Sequence, residues 1–255
     1  MTDFTAPVFL RPAFKRSLGM SMAVSALGLA LLLSGCSSGN PVPDPSGGTG
    51  TVTPPAELGK LDASVLEDVA RTFAAEHPGS KMLDGAQIRA QIPATEKWLK
   101  TVVIEPERCG YYGGQSLTEQ LAVAELAVVT LPRAEGQQSA QITVSSYREA
   151  ETLVADISTQ QYLDKDCGTF SVTSGGQTVK NRIEAVPVDS SAPYGSGILA
   201  TATSGKKTTR NLTVRAVDGN VMVTSTRDAG SDVAAATQAA QTDVERMLEL
   251  LRARG

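Results

Sequence analysis

From Leu18 to Leu33 the chain carries only apolar and small residues, and Arg11, Lys15 and Arg16 stand just ahead of that run. A basic segment followed by an apolar core is how an export signal is built. Whatever folds from the rest of the chain is then expected to fold outside the cytoplasm. A membrane-spanning anchor is the competing reading, but this apolar run is shorter than the roughly 20 residues that a spanning helix needs.

The run ends in Leu33-Ser34-Gly35-Cys36, a junction that resembles a bacterial lipobox. That resemblance implies cleavage ahead of the cysteine, a diacylglycerol on the Cys36 thiol and an acyl chain such as palmitate on its new amino group. The membrane is then a partner through the lipid, because two or more chains anchor stably where one holds only marginally. Residues 1–35 are read as a lipoprotein signal peptide and residues 36–58 as the lipidated cysteine with a tether. Between Ser37 and Leu58 the chain is crowded with Pro and Gly and shows no hydrophobic period, so it cannot bury enough surface to order itself. As a coil its ends lie on the order of 25 Å apart. Residues 59–255 remain to fold.

Charge and composition narrow the function classes. The whole chain has a formal charge of −4, and removing the signal takes away three basic residues against Asp3 alone, so the exported part is more acidic still. Such a surface repels phosphate backbones, and nucleic acid is excluded as a partner. With 1 His, 1 Trp and 4% aromatic residues, histidine-rich metal sites and rows of stacking platforms are poorly supplied. With Cys36 lipidated, Cys109 and Cys167 are left. Export favours a disulfide between them, worth about 4 kcal/mol by loop closure, and two separate buried thiols are the alternative.

Periodicity sketches an α+β fold. Val65, Leu66, Val69 and Phe73 share a helical face, with Ser64 and Glu67 at capping-box spacing, and this helix ends near His77-Pro78-Gly79. A short helix follows Asp84 and stops before Pro93. Strands are expected at 101–105, 121–131 and 141–145. Ser146 and Glu149 again have capping-box spacing, opening a central helix from Tyr147 toward Cys167. Strands near 168–174, 177–187, 197–204, 209–217 and 219–226 come next, the last two joined through Asp218-Gly219. Val233, Ala236, Ala240, Val244, Met247, Leu248 and Leu251 form the stripe of a terminal helix, with Asp232 at its start and Arg252 and Arg254 at its end. The expected architecture is a mostly antiparallel sheet packed by helices on one face.

Catalytic signatures are missing: the chain after Cys36 has no G-x-S-x-G, H-E-x-x-H, Walker loop or G-x-G-x-x-G. His77 reads as a solvent-exposed residue at a helix end. The pairs Asp164 with Asp166 and Glu105 with Glu107 read as solvated charge flanking turns. No catalytic, metal or cofactor residue is assigned. Contact candidates are Tyr111 and Tyr112, which sit in Gly110-Tyr111-Tyr112-Gly113-Gly114 beside Cys109, together with Tyr194 in the loop-like 190–197 segment. Trp98 is a fourth, as a core plug or a lid over the sheet end.

Taken in order, Leu83-Asp84-Gly85-Ala86-Gln87-Ile88, Pro106-Glu107-Arg108-Cys109, Val128-Val129-Thr130-Leu131-Pro132 and Asp166-Cys167-Gly168-Thr169-Phe170 are followed by a Gly219-Asn220-Val221 strand and a last helix. The chain thereby resembles, over roughly residues 60–252, the PknH-like extracellular sensor-domain family of actinobacteria, found on receptor kinases and as free lipoproteins. The resemblance implies a twisted antiparallel sheet with helices and a cleft proposed for an unknown ligand. It supplies no catalytic residues, and this chain departs from the family's best-known member in having cysteines for one bridge rather than two. The expected function is a lipid-anchored, exported, non-enzymatic sensor-like domain that binds an unknown ligand or protein in the cell envelope. A carrier for a lipid or other apolar molecule is the alternative, and a carboxylate-based envelope hydrolase stands third.

Overall fold

The computed structural model describes residues 57–110, 122–132, 139–151, 153 and 167–254. In chain order the elements are α1 (Ala63–Ala75), β1 (Lys81–Leu83), α2 (Gly85–Arg89), α3 (Ile92–Leu99), β2 (Val103–Glu105), a 3-10 turn (Glu107–Cys109), β3 (Ala124–Thr130) and β4 (Gln141–Tyr147). After these come β5 (Thr169–Ser174), β6 (Gln177–Val186), β7 (Tyr194–Ser204), β8 (Lys207–Asp218), β9 (Val221–Asp228) and the terminal helix α4 (Val233–Arg252). The strands form one sheet in the order β1-β3-β4-β9-β8-β7-β6-β5-β2. Every neighbouring pair is antiparallel. Both edge strands have only 3 residues, which leaves little template for pairing with another chain.

Alternation along the central strands separates two faces. Ala127 and Val129 of β3, Ile142 and Val144 of β4, Leu212, Val214 and Ala216 of β8, and Val221 and Val223 of β9 share one buried cluster with α1 and α4. α1 contributes Leu66, Val69, Ala70 and Phe73, and α4 contributes Ala240, Val244, Met247, Leu248 and Leu251. The α+β class and the antiparallel sheet are as the sequence indicates, and the two long helices share a face. The opposite face is not bare: Ile88 of α2 and Leu153 close on Leu126, Val128, Val217 and Met222.

Local capping differs from the expected pattern. α1 begins one residue before Ser64, after Asp62, and has no side-chain cap. Ser146 and Tyr147 belong to β4, and Ser146 Oγ accepts from Leu61 N at 2.7 Å, so Ser146 secures the entry to α1 and opens no helix. The capping box lies at α2, where Asp84 Oδ1 accepts from Gln87 N and Gln87 Oε1 accepts from Asp84 N. Pro93 falls in the first turn of α3, where its missing N–H costs nothing, so it continues the helical stretch into a second helix. Most of the expected central helix lies outside the described residues, as do Asp164 and Asp166.

The β8–β9 turn holds the two ends of the domain. Leu58, placed at the end of the tether by sequence, is buried; its N–H donates to Asp218 Oδ1 and its carbonyl accepts from Asn220 N. Gly219 has φ +58, and a Cβ there would run into the Leu58 backbone. Asp218 Oδ2 accepts from Arg252 Nε at 2.9 Å and Nη2 at 2.7 Å, which ties the end of α4 to the same turn.

A second ion pair, Arg227 of β9 with Asp243 of α4, lies under the helix face with side chains 16% and 10% exposed. Burial pushes the Asp243 carboxyl up by more than Arg227 pulls it down. A carboxyl raised on folding holds extra protons in the native state, so its contribution falls as pH rises from the ordinary value of 3.8 through the higher folded value. We predict that Arg227→Met alone costs about 3–5 kcal/mol in urea unfolding, by stranding Asp243, and that Arg227→Met with Asp243→Leu recovers most of it. The double variant also lacks the decline with rising pH. A single variant as stable as wild type contradicts this account.

Candidate functional site

Three transverse rows of side chains form the middle of the face opposite α1 and α4. The first runs Leu126, Ser145, Met222, Val217, Tyr194 across β3, β4, β9, β8 and β7. The second, one step along, runs Val128, Thr143, Thr224, Arg215, Ser196 over the same strands. The third includes Gln141, Thr226, Thr213 and Ile198, with the Thr213 and Thr226 hydroxyls 3.3 Å apart. The first row is mainly apolar and the second mainly polar. They lie side by side on one floor.

Arg215 is the outstanding member. Its side chain alternates with Val214 and Ala216, which face the helices, and the residue is 2% exposed. Nε donates to Thr224 Oγ1 at 3.4 Å, a long bond, and Nη2 is buried with no hydrogen-bond partner among the described residues. Two strands away the Thr143 hydroxyl, also buried, has none either. Buried polar atoms are ordinarily satisfied. Two other arginines that the fold partly encloses each have an aspartate: Arg227 with Asp243 and Arg252 with Asp218.

A groove of about 710 Å³ on the helix side, between residues 189–191 and α4, is different in kind. There Glu245 accepts from Ser190 Oγ and Ser191 N, Gln241 donates to the Asp189 carbonyl, and Arg246 spans Glu76 and Glu249. The Arg246 bond holds the Glu76 carboxyl below its usual range. These groups satisfy one another, leaving little for a ligand.

The sequence-assigned residues distribute unevenly. Tyr194 opens β7 and stands half-buried in the first row beside Val217, so residues 194–197 are strand, not the loop that composition suggested. Trp98 lies half-buried on α3, and its carbonyl accepts from the Thr101 hydroxyl. Cys36, Tyr111 and Tyr112 lie outside the described residues. Cys109 and Cys167 are both buried and bonded to each other, with Cα atoms 5.6 Å apart. His77 is half-buried, with its ring 4.7 Å from that of Phe73, rather than free in solvent. Glu105 and Glu107 are exposed. Among the described residues no three His, Cys, Asp or Glu side chains gather as a metal would require. No described helix is long and apolar enough to cross a membrane.

Sequence reasoning missed Arg215, Thr143 and Thr224. The available signal was one arginine inside Leu212-Thr213-Val214-Arg215-Ala216-Val217, where strand alternation places it with Thr213 and Val217, away from the valine-lined core.

No protein-family model matches the chain, and no curated protein matches it. Among solved structures, the chain is similar in fold to the extracellular domain of PknH from Mycobacterium tuberculosis, at 12% identity and a TM-score of 0.48, over 77% of this chain and 99% of that one. It is similar also to an uncharacterized protein, the Rv0999 ortholog, from Mycobacterium smegmatis, at 15% identity and a TM-score of 0.43, over 75% of this chain and 98% of that one.

The disulfide joins the 3-10 turn after β2 to the start of β5, the strand that β2 pairs with, so it pins the sheet's edge. Replacing both cysteines by serine is predicted to lower stability by about 2–4 kcal/mol in chemical denaturation. A loss below about 0.5 kcal/mol would show that the edge holds without the bond.

Proposed function

We propose that this chain is an exported, lipid-anchored, non-enzymatic binding domain of sensor-like type, and that the floor of the face opposite α1 and α4 receives its ligand. One observation carries the reading: on that floor the buried guanidinium of Arg215 meets no carboxylate among the described residues and its Nη2 has no partner there, whereas Arg227, under α4, meets Asp243. Sites of binding are where a fold keeps polar groups that its own stability does not need. The export signal and the Leu33-Ser34-Gly35-Cys36 junction support the envelope as location, and the 36–58 segment supports a tether. It joins the fold at Leu58, against the β8–β9 turn.

The apolar first row gives the carrier reading a specific footing, since a hydrocarbon entering between the sheet and the Ile88 and Leu153 side chains that close on it would meet Leu126, Met222, Val217 and Tyr194. Both readings share the floor and differ in the chemistry of what lies on it.

The test is mass spectrometry of small molecules retained by the protein purified from an exporting host, with a parallel Cys36→Ala variant. A stoichiometric organic ligand, and loss of acyl labelling and of detergent partitioning in Cys36→Ala, are the expected results. Retained acyl labelling in the variant contradicts the anchor. No ligand from any envelope extract contradicts the binding role.

A further inference from the structure

We infer that the ligand carries an oxyanion, a carboxylate or a phosphate, bound by the guanidinium of Arg215, with its apolar part lying along Leu126, Met222, Val217 and Tyr194. This rests on the reading of that floor as the binding face and adds the chemical class of what binds there.

A guanidinium keeps its charge in any protein environment and brings five N–H donors in a planar fork matched to two oxygens of a carboxylate or phosphate. Arg215 is 2% exposed, yet its described bonding is one long contact from Nε to a threonine hydroxyl. An uncompensated buried charge is among the costliest features a fold can keep. The same sheet shows the ordinary solution at Arg227, whose guanidinium meets the Asp243 carboxylate. At Arg215 the adjacent positions are hydroxyls, Thr224 on β9 and Ser196 on β7, with Thr213 and Thr226 one row on. Hydroxyls donate to an oxyanion without neutralising the arginine first, so this surround favours an incoming anion where a carboxylate would compete with it.

The neighbouring row sets the rest of the ligand. Met222 is 3% exposed, Leu126 5% and Val217 8%, and they lie one strand step from Thr224, Thr143 and Arg215. A molecule with an acidic head and a short hydrocarbon body matches both rows at once. A neutral hydrocarbon would leave Arg215 unpaired, and a fully polar anion would make no use of the neighbouring apolar row.

The experiment is thermal unfolding of the purified protein at constant ionic strength with inorganic phosphate, with hexanoate and with 1-hexanol as the uncharged control, for wild type, Arg215→Met and Arg215→Lys. At saturation, hexanoate or phosphate raises the wild-type midpoint by about 2–4 °C, and hexanol does not. A response to phosphate alone assigns a phosphate head, and one to hexanoate alone a carboxylate. Arg215→Met melts no lower than wild type, because among the described residues the arginine meets no carboxylate and makes only the long contact to Thr224, and gives no anion response. Arg215→Lys keeps the charge, loses the fork and responds several-fold more weakly; it decides the matter if Arg215→Met does not fold. Wild type indifferent to both anions overturns the proposal, and so does an undiminished response in Arg215→Met or Arg215→Lys. Recovery of a neutral molecule on this floor removes the anion while leaving the binding reading intact.

Discussion

Everything else in this molecule depends on seating α1 and α4 on the centre of the sheet. Phe73, Leu66, Met247, Leu248 and Leu251 are each 0% exposed, and they cover strands β3, β4, β9 and β8, which chain order brings together only because β9 returns to pair with β4. At about 25 cal/mol per Å² of apolar surface, burial at that seat is a large favourable contribution to the fold. Charge fastens the two helices to each other: Arg246 of α4 reaches Glu76, just after α1, and Arg254, just after α4, reaches Asp68 of α1 at 2.6 Å. The Asp218 turn then holds Leu58 and Arg252 together.

Because the helix face supplies the cohesion, the opposite face is free to carry side chains that packing alone would not select. Arg227 and Arg252 meet aspartates, whereas the more deeply buried Arg215 meets a threonine. That asymmetry separates stability from recognition within single strands: β8 gives Leu212, Val214 and Ala216 to the core and Thr213, Arg215 and Val217 to the other side. A two-sided strand of this sort spends half of its residues on each task.

The helices at both ends and the run of hairpins from β5 to β9 were legible because their periods are clean and their turns carry Gly175, Gly205 and Gly219 at positive φ. Ser64 and Ser146 misled, since the S-x-x-E spacing is common and neither serine caps a helix here; Asp84 with Gln87 does. Tyr194 lies on a strand and not in a loop. Glycine, serine and proline around it suggest a loop, yet Gly195 and Gly197 are strand positions where Ser190, Val186 and Val188 press too closely for a Cβ. Arg215 escaped notice because which face of β8 it occupies matters only once the partner strands are known, and Thr143, Thr224 and Ser196 come from three other strands. A cross-strand row is a property of register, which local sequence does not express.

The central claim is that the charge of Arg215 is completed by something other than this chain. The most direct measurement is a high-resolution crystal structure of the protein purified from its exporting host without added ligand. The account predicts a bound group with an oxygen within hydrogen-bond distance of Arg215 Nη2 and an apolar portion over Met222 and Val217. A carboxylate of the chain itself paired with that guanidinium would contradict it.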